Sequence, residues 1–404
     1  MIGKFIILIL DGFGVGYMDD AIKVRPQDVG SNTCVHILQE KKNIYLKNLE
    51  KLGLMNIVDE ETSTMKKSNS AIFGSCNLTH FGADTFWGHQ EIMGSKPLMP
   101  KMEPFCNRVN VIRDELIKYG YNIKEIIRDD RKLLMVNNAL TIGDNIETDL
   151  GQAYNVTAAL DLIDFQEVVK IGRIVREQVN VSRVIVFGGH DVSKEDIINA
   201  IEIKEDKYIG VNAPKSGVYK NKYHCVHLGY KVDYKKQLPY VLHKVNIGTT
   251  LIGKVADIVD NRYGKSIPAV DTEEVMKRAI NEIQNNDSGL ICVNVQETDL
   301  SGHEQDVEKY SNKLKIVDKY LSNVIELLNK DDILIVMADH GNDPTIGHSK
   351  HTRERVPLMI YKAVNEYNNI GIRDTLSDVA GTVCEYFNAT GIENGKSFLN
   401  KILN

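Results

Sequence analysis

The chain has 404 residues, more than one ordinary domain holds and enough for two. Apolar residues make up 43% and charged residues 26%, the balance of a soluble globular protein, and a net charge of -6 excludes the basic surplus on which nucleic-acid binders rely. The six cysteines (Cys34, Cys76, Cys106, Cys225, Cys292 and Cys384) are scattered without a C-x-x-C pair, which excludes a disulfide framework and points to a reducing, cytoplasmic compartment.

The first run, MIGKFIILIL, is too short to cross a bilayer, is ended by Asp11, and is followed by no small-residue cleavage site. It predicts a strand over 5–10. Two later runs share its design: 290–295 leads to Asp299, and 333–337 leads to Asp339 and His340. Short runs rich in Ile, Val and Leu suit central parallel strands buried on both faces. Open α/β sheets bind ligands outside the carboxyl ends of such strands, so residues far apart in sequence are expected at one edge. Helices are predicted between the strands, over 272–283 and over 306–329. The second carries Tyr310, Leu314, Val317, Leu321, Val324 and Leu327 on one face and charges on the other. The stretch 98–230, entered past Pro97 and Pro100, alternates strand and helix patterns again (184–187 is one apolar run) but contains none of the acidic strand ends. It reads as a second α/β domain inserted into a first made of 1–97 and 231–404. The predicted class is α/β, with a mostly parallel central sheet flanked by helices.

Asp11 stands in I-L-D-G-F-G, where Gly12 and Gly14 also suit an ordinary turn. Asp299 and His303 stand in T-D-L-S-G-H, Asp339 and His340 in M-A-D-H-G-N-D-P-T, and His351 in K-H-T-R-E-R-V-P. Charged and imidazole groups cost free energy at a buried strand end unless they are paired or bind metal. Carboxylate oxygen with imidazole nitrogen suits zinc, manganese or iron. Three acids and three histidines are enough for a pair of metals, the usual clamp for phosphoryl transfer. A nucleophile is offered by G-A-D-T-F-W-G-H-Q-E-I-M-G, where Thr85 follows an acid and precedes a predicted helix. A hydroxyl at a helix N-terminus can take a phosphoryl group whose oxygens face backbone N–H groups. Asp84 or Thr85 acting only as a helix cap is the alternative.

These motifs together resemble the phosphopentomutases of the alkaline phosphatase superfamily, nearly end to end. The resemblance runs through D-G-F-G-V-G at Asp11, the Thr85 stretch, I-G-K-V-A-D-I at Lys254, D-L-S-G-H-E-Q-D-V-E at Asp299 and A-D-H-G-N-D-P-T…H-T-R-E-R-V-P at Asp339, and on to D-V-A-G-T-V…G-K-S-F-L-N. It implies an alkaline-phosphatase-like core. It also implies one metal held by Asp11, Thr85, Asp339 and His340, and a second held by Asp299, His303 and His351, with manganese as the expected ion. Thr85 would carry the phosphoryl group, and phosphate would move between C5 and C1 of ribose or deoxyribose through a sugar bisphosphate, which also serves as activator. The inserted domain would grip the distal phosphate, with Lys254 and Asp149 as further substrate contacts.

Two departures bear on the substrate. The D-x-x-G-H spacing at Asp299 looks more like cofactor-independent phosphoglycerate mutase. Where the family carries arginines for phosphate, this chain reads G-V-N-A-P-K-S-G and Y-K-N-K-Y-H, offering Asn212, Lys215 and Lys222. Lysine is a point charge without the fork of arginine, and exposed lysines often form only a solvated surface. A mutase of another phosphosugar and a metal-dependent phosphatase are therefore the other expectations.

Overall fold

The computed structural model describes residues 3–147, 150–363 and 366–403. The chain divides into two compact units, Met1–Pro97 with Asp233–Asn404, and Leu98–Val232.

The first unit is built on an eight-stranded sheet. Its strands run in the order Lys265–Ile267, Thr249–Ile252, Gly289–Val295, Lys4–Leu10, Ile333–Met337, Val356–Tyr361, Ile72–Cys76 and Asn368–Arg373. Five of its seven pairings are parallel, and only Val356–Tyr361 runs against its neighbours. Every residue of the three central strands is buried, as their unbroken apolar runs require. Register then fixes the site. Leu10 pairs with Val295 and Ile9 with Met337, so Asp11 and Asp339 leave the sheet side by side, and the helix Glu297–His303 starts two residues beyond Val295. Ile252 pairs with Val293, which brings Lys254 to the same edge.

The two predicted helices are Thr272–Asn285 and Val307–Glu326, each opened by an aspartate (Asp271, Asp306) that accepts a first-turn N–H. Tyr310, Leu314, Val317, Leu321 and Val324 are the buried stripe of the longer one. Each such side chain contributes about 1.5–3 kcal/mol by leaving water.

The second unit has its own six-stranded sheet, in the order His224–Gly229, Arg183–Gly189, Ala153–Ala159, Leu140–Asp144, Arg131–Val136 and Ile123–Arg128. The helices Val109–Lys118 and Phe165–Glu177 supply its apolar cover. A buried carboxylate ties this unit together: Asp144 accepts the Phe105 N–H (2.8 Å) and the Ile209 N–H (2.9 Å). Burial outweighs those two donors and Lys207 and pushes the carboxyl up to about 7. The folded form therefore holds its proton above the unfolded value of about 3.9. The stability this gives is full below that value and is lost as pH rises towards 7. Between pH 4 and 7 the difference in stability between parent and Asp144→Asn should change by up to about 1.4 kcal/mol per pH unit, read by urea denaturation. A flat difference would refute the assignment.

Among the described residues no helix is long and apolar enough to cross a membrane.

Candidate metal centre

Glycine decides how closely the loops at this edge approach. Gly12 has φ +76°, and a Cβ there would meet the Asn342 Cβ at 3.0 Å and the Asp299 carboxylate at 3.1 Å. Gly88 lets the helix Thr85–Ile92 lie on Asp339, whose carbonyl oxygen would be 2.7 Å from an added Cβ. The two ends of this contact are joined by the Thr85 hydroxyl, which donates to Asp339 Oδ2 at 2.8 Å. Asp84 caps that helix by accepting the Trp87 N–H (3.0 Å), which leaves the threonine hydroxyl to the carboxylate. The capping alternative and the nucleophile reading thus fall on neighbouring residues.

Asp11, Asp299, Asp339, His340 and His351 converge at the strand ends. Donor atoms of Asp299, His340 and His351 lie within 4.8 Å of one another, as do those of Asp11, His89 and Asp339. His340 Nε2 lies 3.4 Å from Asp11 Oδ1 and 3.3 Å from Asp339 Oδ2, and its ring stacks on His351 at 3.9 Å. His303, four residues after Asp299 on one helix, lies 3.4 Å from Asp299 Oδ2, and His351 lies 3.3 Å from Asp299 Oδ1.

The hydrogen bonds of the imidazoles test whether these residues suit a cation. His303 Nδ1 lies 2.6 Å from the Ser349 carbonyl, His340 Nδ1 2.9 Å from the Gly341 carbonyl, and His351 Nδ1 2.8 Å from the Ala83 carbonyl. A carbonyl accepts, so each Nδ1 donates its proton and each Nε2 lone pair turns to the centre. His303 and His351 then face each other, lone pair against lone pair, at 3.0 Å. His340 Nε2 and Asp11 Oδ1 are both buried without a hydrogen-bond partner. A divalent cation removes both conflicts, and its donors would be the oxygen and imidazole set that suits manganese, zinc or iron. With protons alone to balance the carboxylates, burial pulls His340 down, but Asp339, Asp11 and Asp299 outweigh it and hold the imidazole at about 10.

Lys254 enters the same cluster. Its ammonium lies 3.0 Å from Asp11 Oδ2 and 3.5 Å from Asp299 Oδ2, and those carboxylates with Asp339 raise its pKa against the effect of burial. Lys215 is exposed and paired with Glu202 at 3.3 Å, while Asn212 caps the turn Ala213–Ser216 and also donates to Glu202. Lys222 is exposed at φ +42°, its charge acting on Asp161. Asp149 lies outside the described residues.

Several residues that hold this centre were not singled out from sequence. Glu91 is buried and accepts from Thr79, His80, Thr375 and Leu376; against the cost of burial, these donors, His80 first, hold its carboxyl below the usual range. His80 in turn accepts the Asp84 N–H on Nε2 (3.3 Å). Arg353, buried between the loops, pairs with both Asp20 oxygens and donates to the carbonyls of Leu78, His80 and Gly82. One guanidinium thus joins the segment carrying His351 to the loop that delivers Thr85. Lysine carries the charge but cannot span these acceptors. Arg353→Lys should lower stability by at least about 2 kcal/mol, from lost charged hydrogen bonds. It should also loosen the loop that carries Thr85, because three of its carbonyls lose their donor. Denaturation and amide hydrogen exchange over that loop check the two parts.

The family model that matches residues 3–390 is described as the Metalloenzyme superfamily. Similar proteins include the phosphopentomutase of Alkaliphilus oremlandii (strain OhILAs), 28% identical over 417 residues with all of both chains covered. That of Caldanaerobacter subterraneus subsp. tengcongensis is 29% identical, covering 100% of this chain and 98% of the relative. Among solved structures, Leishmania mexicana phosphoglycerate mutase aligns over 98% of this chain and 97% of its own, with 12% identity and a TM-score of 0.45.

Proposed function

The chain belongs to the Metalloenzyme superfamily, and from that premise we propose that it is a cytoplasmic phosphopentomutase-like enzyme, interconverting the 1- and 5-phosphates of ribose or deoxyribose. The observation that carries the reading is the Thr85 hydroxyl held on Asp339, beside three imidazoles whose Nε2 lone pairs face three carboxylates. The full-length similarity to phosphopentomutases supports it.

Asp11, Asp339, His340 and Thr85 would hold one divalent cation, and Asp299, His303 and His351 a second, with manganese the expected metal. Bound there, the metals would neutralise phosphoryl oxygens and lower the pKa of the hydroxyl. Thr85 Oγ carries the phosphoryl group between turnovers. A substrate hydroxyl attacks that phosphorus, the Oγ–P bond breaks, the hydroxyl proton passes to Thr85 Oγ, and a sugar bisphosphate forms. Thr85 Oγ then attacks the other phosphorus, the bond from that phosphorus to the sugar oxygen breaks, the threonine proton passes to that oxygen, and the product leaves with the phosphoryl group moved. Asp339 Oδ2, which accepts the Thr85 hydroxyl, holds the proton donor of the free threonine in place. Such transfers need positioning and charge more than covalent help from the protein. Lys254 is the cation at hand for a phosphoryl oxygen. In this reading Lys215 and Lys222 are the lysines the second unit offers to a phosphate, and an added sugar bisphosphate activates the enzyme.

A second reading, a mutase of another phosphosugar, is favoured by the pairing of Lys215 with Glu202 and by Asn212 where a phosphate-gripping arginine was expected. The experiment is a panel of ribose, deoxyribose and hexose monophosphates with manganese and glucose 1,6-bisphosphate. Formation of the 5-phosphate from ribose 1-phosphate or deoxyribose 1-phosphate supports the first reading. Conversion of another phosphosugar alone supports the second. Release of inorganic phosphate from every ester makes the protein a phosphatase.

A further inference from the structure

His89 differs from the other histidines of the centre. It is fully buried on the helix Thr85–Ile92, with Nδ1 3.2 Å from Asp339 Oδ2 and 2.9 Å from the Thr85 carbonyl oxygen. Two acceptors on one side require Nδ1 to carry the proton. Nε2 lies 3.0 Å from Asn294 Nδ2, and the same amide lies 3.1 Å from Asp11 Oδ2. Turning the Asn294 amide over would set its oxygen against the Asp11 carboxylate, acceptor against acceptor. The amide nitrogen therefore donates to both Asp11 and His89. This fills the Nε2 lone pair, and His89 has none left for a metal, although it lies close enough to Asp11 and Asp339 to be grouped with them.

We propose that His89 and Asn294 are positioning residues: a neutral strut, Asp339–His89–Asn294–Asp11, that fixes the spacing and lone-pair directions of two metal-binding carboxylates. The inference rests on the reading that Asp11 and Asp339 bind a divalent cation. Partners standing behind a metal's ligands commonly govern affinity by about 10–100-fold. Both members come from rigid elements, a central strand and the helix that Gly88 seats on Asp339.

The test is calorimetric titration of Mn2+ into metal-stripped enzyme, with circular dichroism to confirm folding. His89→Ala should weaken binding about 10–100-fold. His89→Asn, whose amide nitrogen can occupy the place of Nδ1 and donate to Asp339 but which has no atom where Nε2 accepts from Asn294, should recover part of that loss. Asn294→Ala, which leaves every carboxylate and imidazole in place, should weaken binding by a similar factor and covers the case in which His89→Ala does not fold. The double variant should lose little more than either single variant, because one strut is broken in each case. Parent-like affinity in Asn294→Ala, or an equal loss in His89→Asn and His89→Ala, overturns the strut and makes His89 a ligand or a bystander. A parent enzyme that binds no manganese removes the metal reading, and the strut with it.

Discussion

Replacing Thr85 with alanine is expected to lower phosphoryl transfer by a factor on the order of 10³–10⁶, the scale of loss when a covalent mechanism loses its nucleophile. The fold should barely respond. The side chain is half-buried, and its hydroxyl makes one hydrogen bond, to Asp339. That carboxylate keeps the Gly12 N–H and His89 as partners. The loop is held from elsewhere, by Arg353 on the carbonyls of Leu78, His80 and Gly82 and by His351 on that of Ala83. Intact-mass analysis after incubation with glucose 1,6-bisphosphate should show one added phosphate on the parent protein and none on Thr85→Ala. Thr85→Ser keeps the hydroxyl and should keep part of the activity. Normal turnover by Thr85→Ala would sink the phosphothreonine route and leave the metal centre to be explained by direct hydrolysis.

The sequence was most informative where a buried strand ends in a charge. The runs before Asp11 and Asp339 could be read as central strands because nothing polar interrupts them, and parallel register then carries both carboxylates to one edge. Asp299 lies four residues past its strand, and its spacing to His303 is that of one helical turn. Asn294 left a trace in L-I-C-V-N-V, as the lone polar side chain in an apolar run, and buried polar groups need partners. Its partners, Asp11 and His89, lie 283 and 205 residues away, which no local pattern reports. His89 stood within the Thr85 motif, four residues on, but a histidine among Phe86, Trp87 and Ile92 looks like any buried ring. Arg353 was legible only as one letter of H-T-R-E-R-V-P, because its partner Asp20 is 333 residues distant. The lysines of the second unit show the opposite limit: sequence supplies the charge of Lys215 but not the nearby Glu202 that pairs with it.

Asp339→Asn should abolish activity, to about 10⁻³ of the parent or lower, while preserving size and fold. Both oxygens of Asp339 are engaged at the centre. Oδ1 accepts the Gly12 N–H at 3.2 Å, and Oδ2 faces the Thr85 hydroxyl (2.8 Å), His89 (3.2 Å) and His340 (3.3 Å). Burial opposes its ionisation, but the charge of His340, the hydrogen bond from His89 and the charge of Lys254 outweigh burial and keep the carboxyl far below the usual range. The sign of the linkage follows from that depression. In the metal-free protein its contribution is present above the unfolded value of about 3.9 and is lost as pH falls below it. At neutral pH the group is therefore a full negative charge, ready for a cation without first losing a proton. The amide of asparagine is neutral, and either orientation sets an N–H against a donor, Gly12 on one side or His89 on the other. Manganese affinity should thus fall by at least about the 100-fold associated with a lost outer-shell partner, since a ligand itself is removed. Exhaustive chelation of the parent should reproduce the loss of activity, and added Mn2+ should reverse it there but not in Asp339→Asn. Full turnover after chelation, or parent-like manganese binding by the variant, would place the chemistry outside this cluster of strand ends.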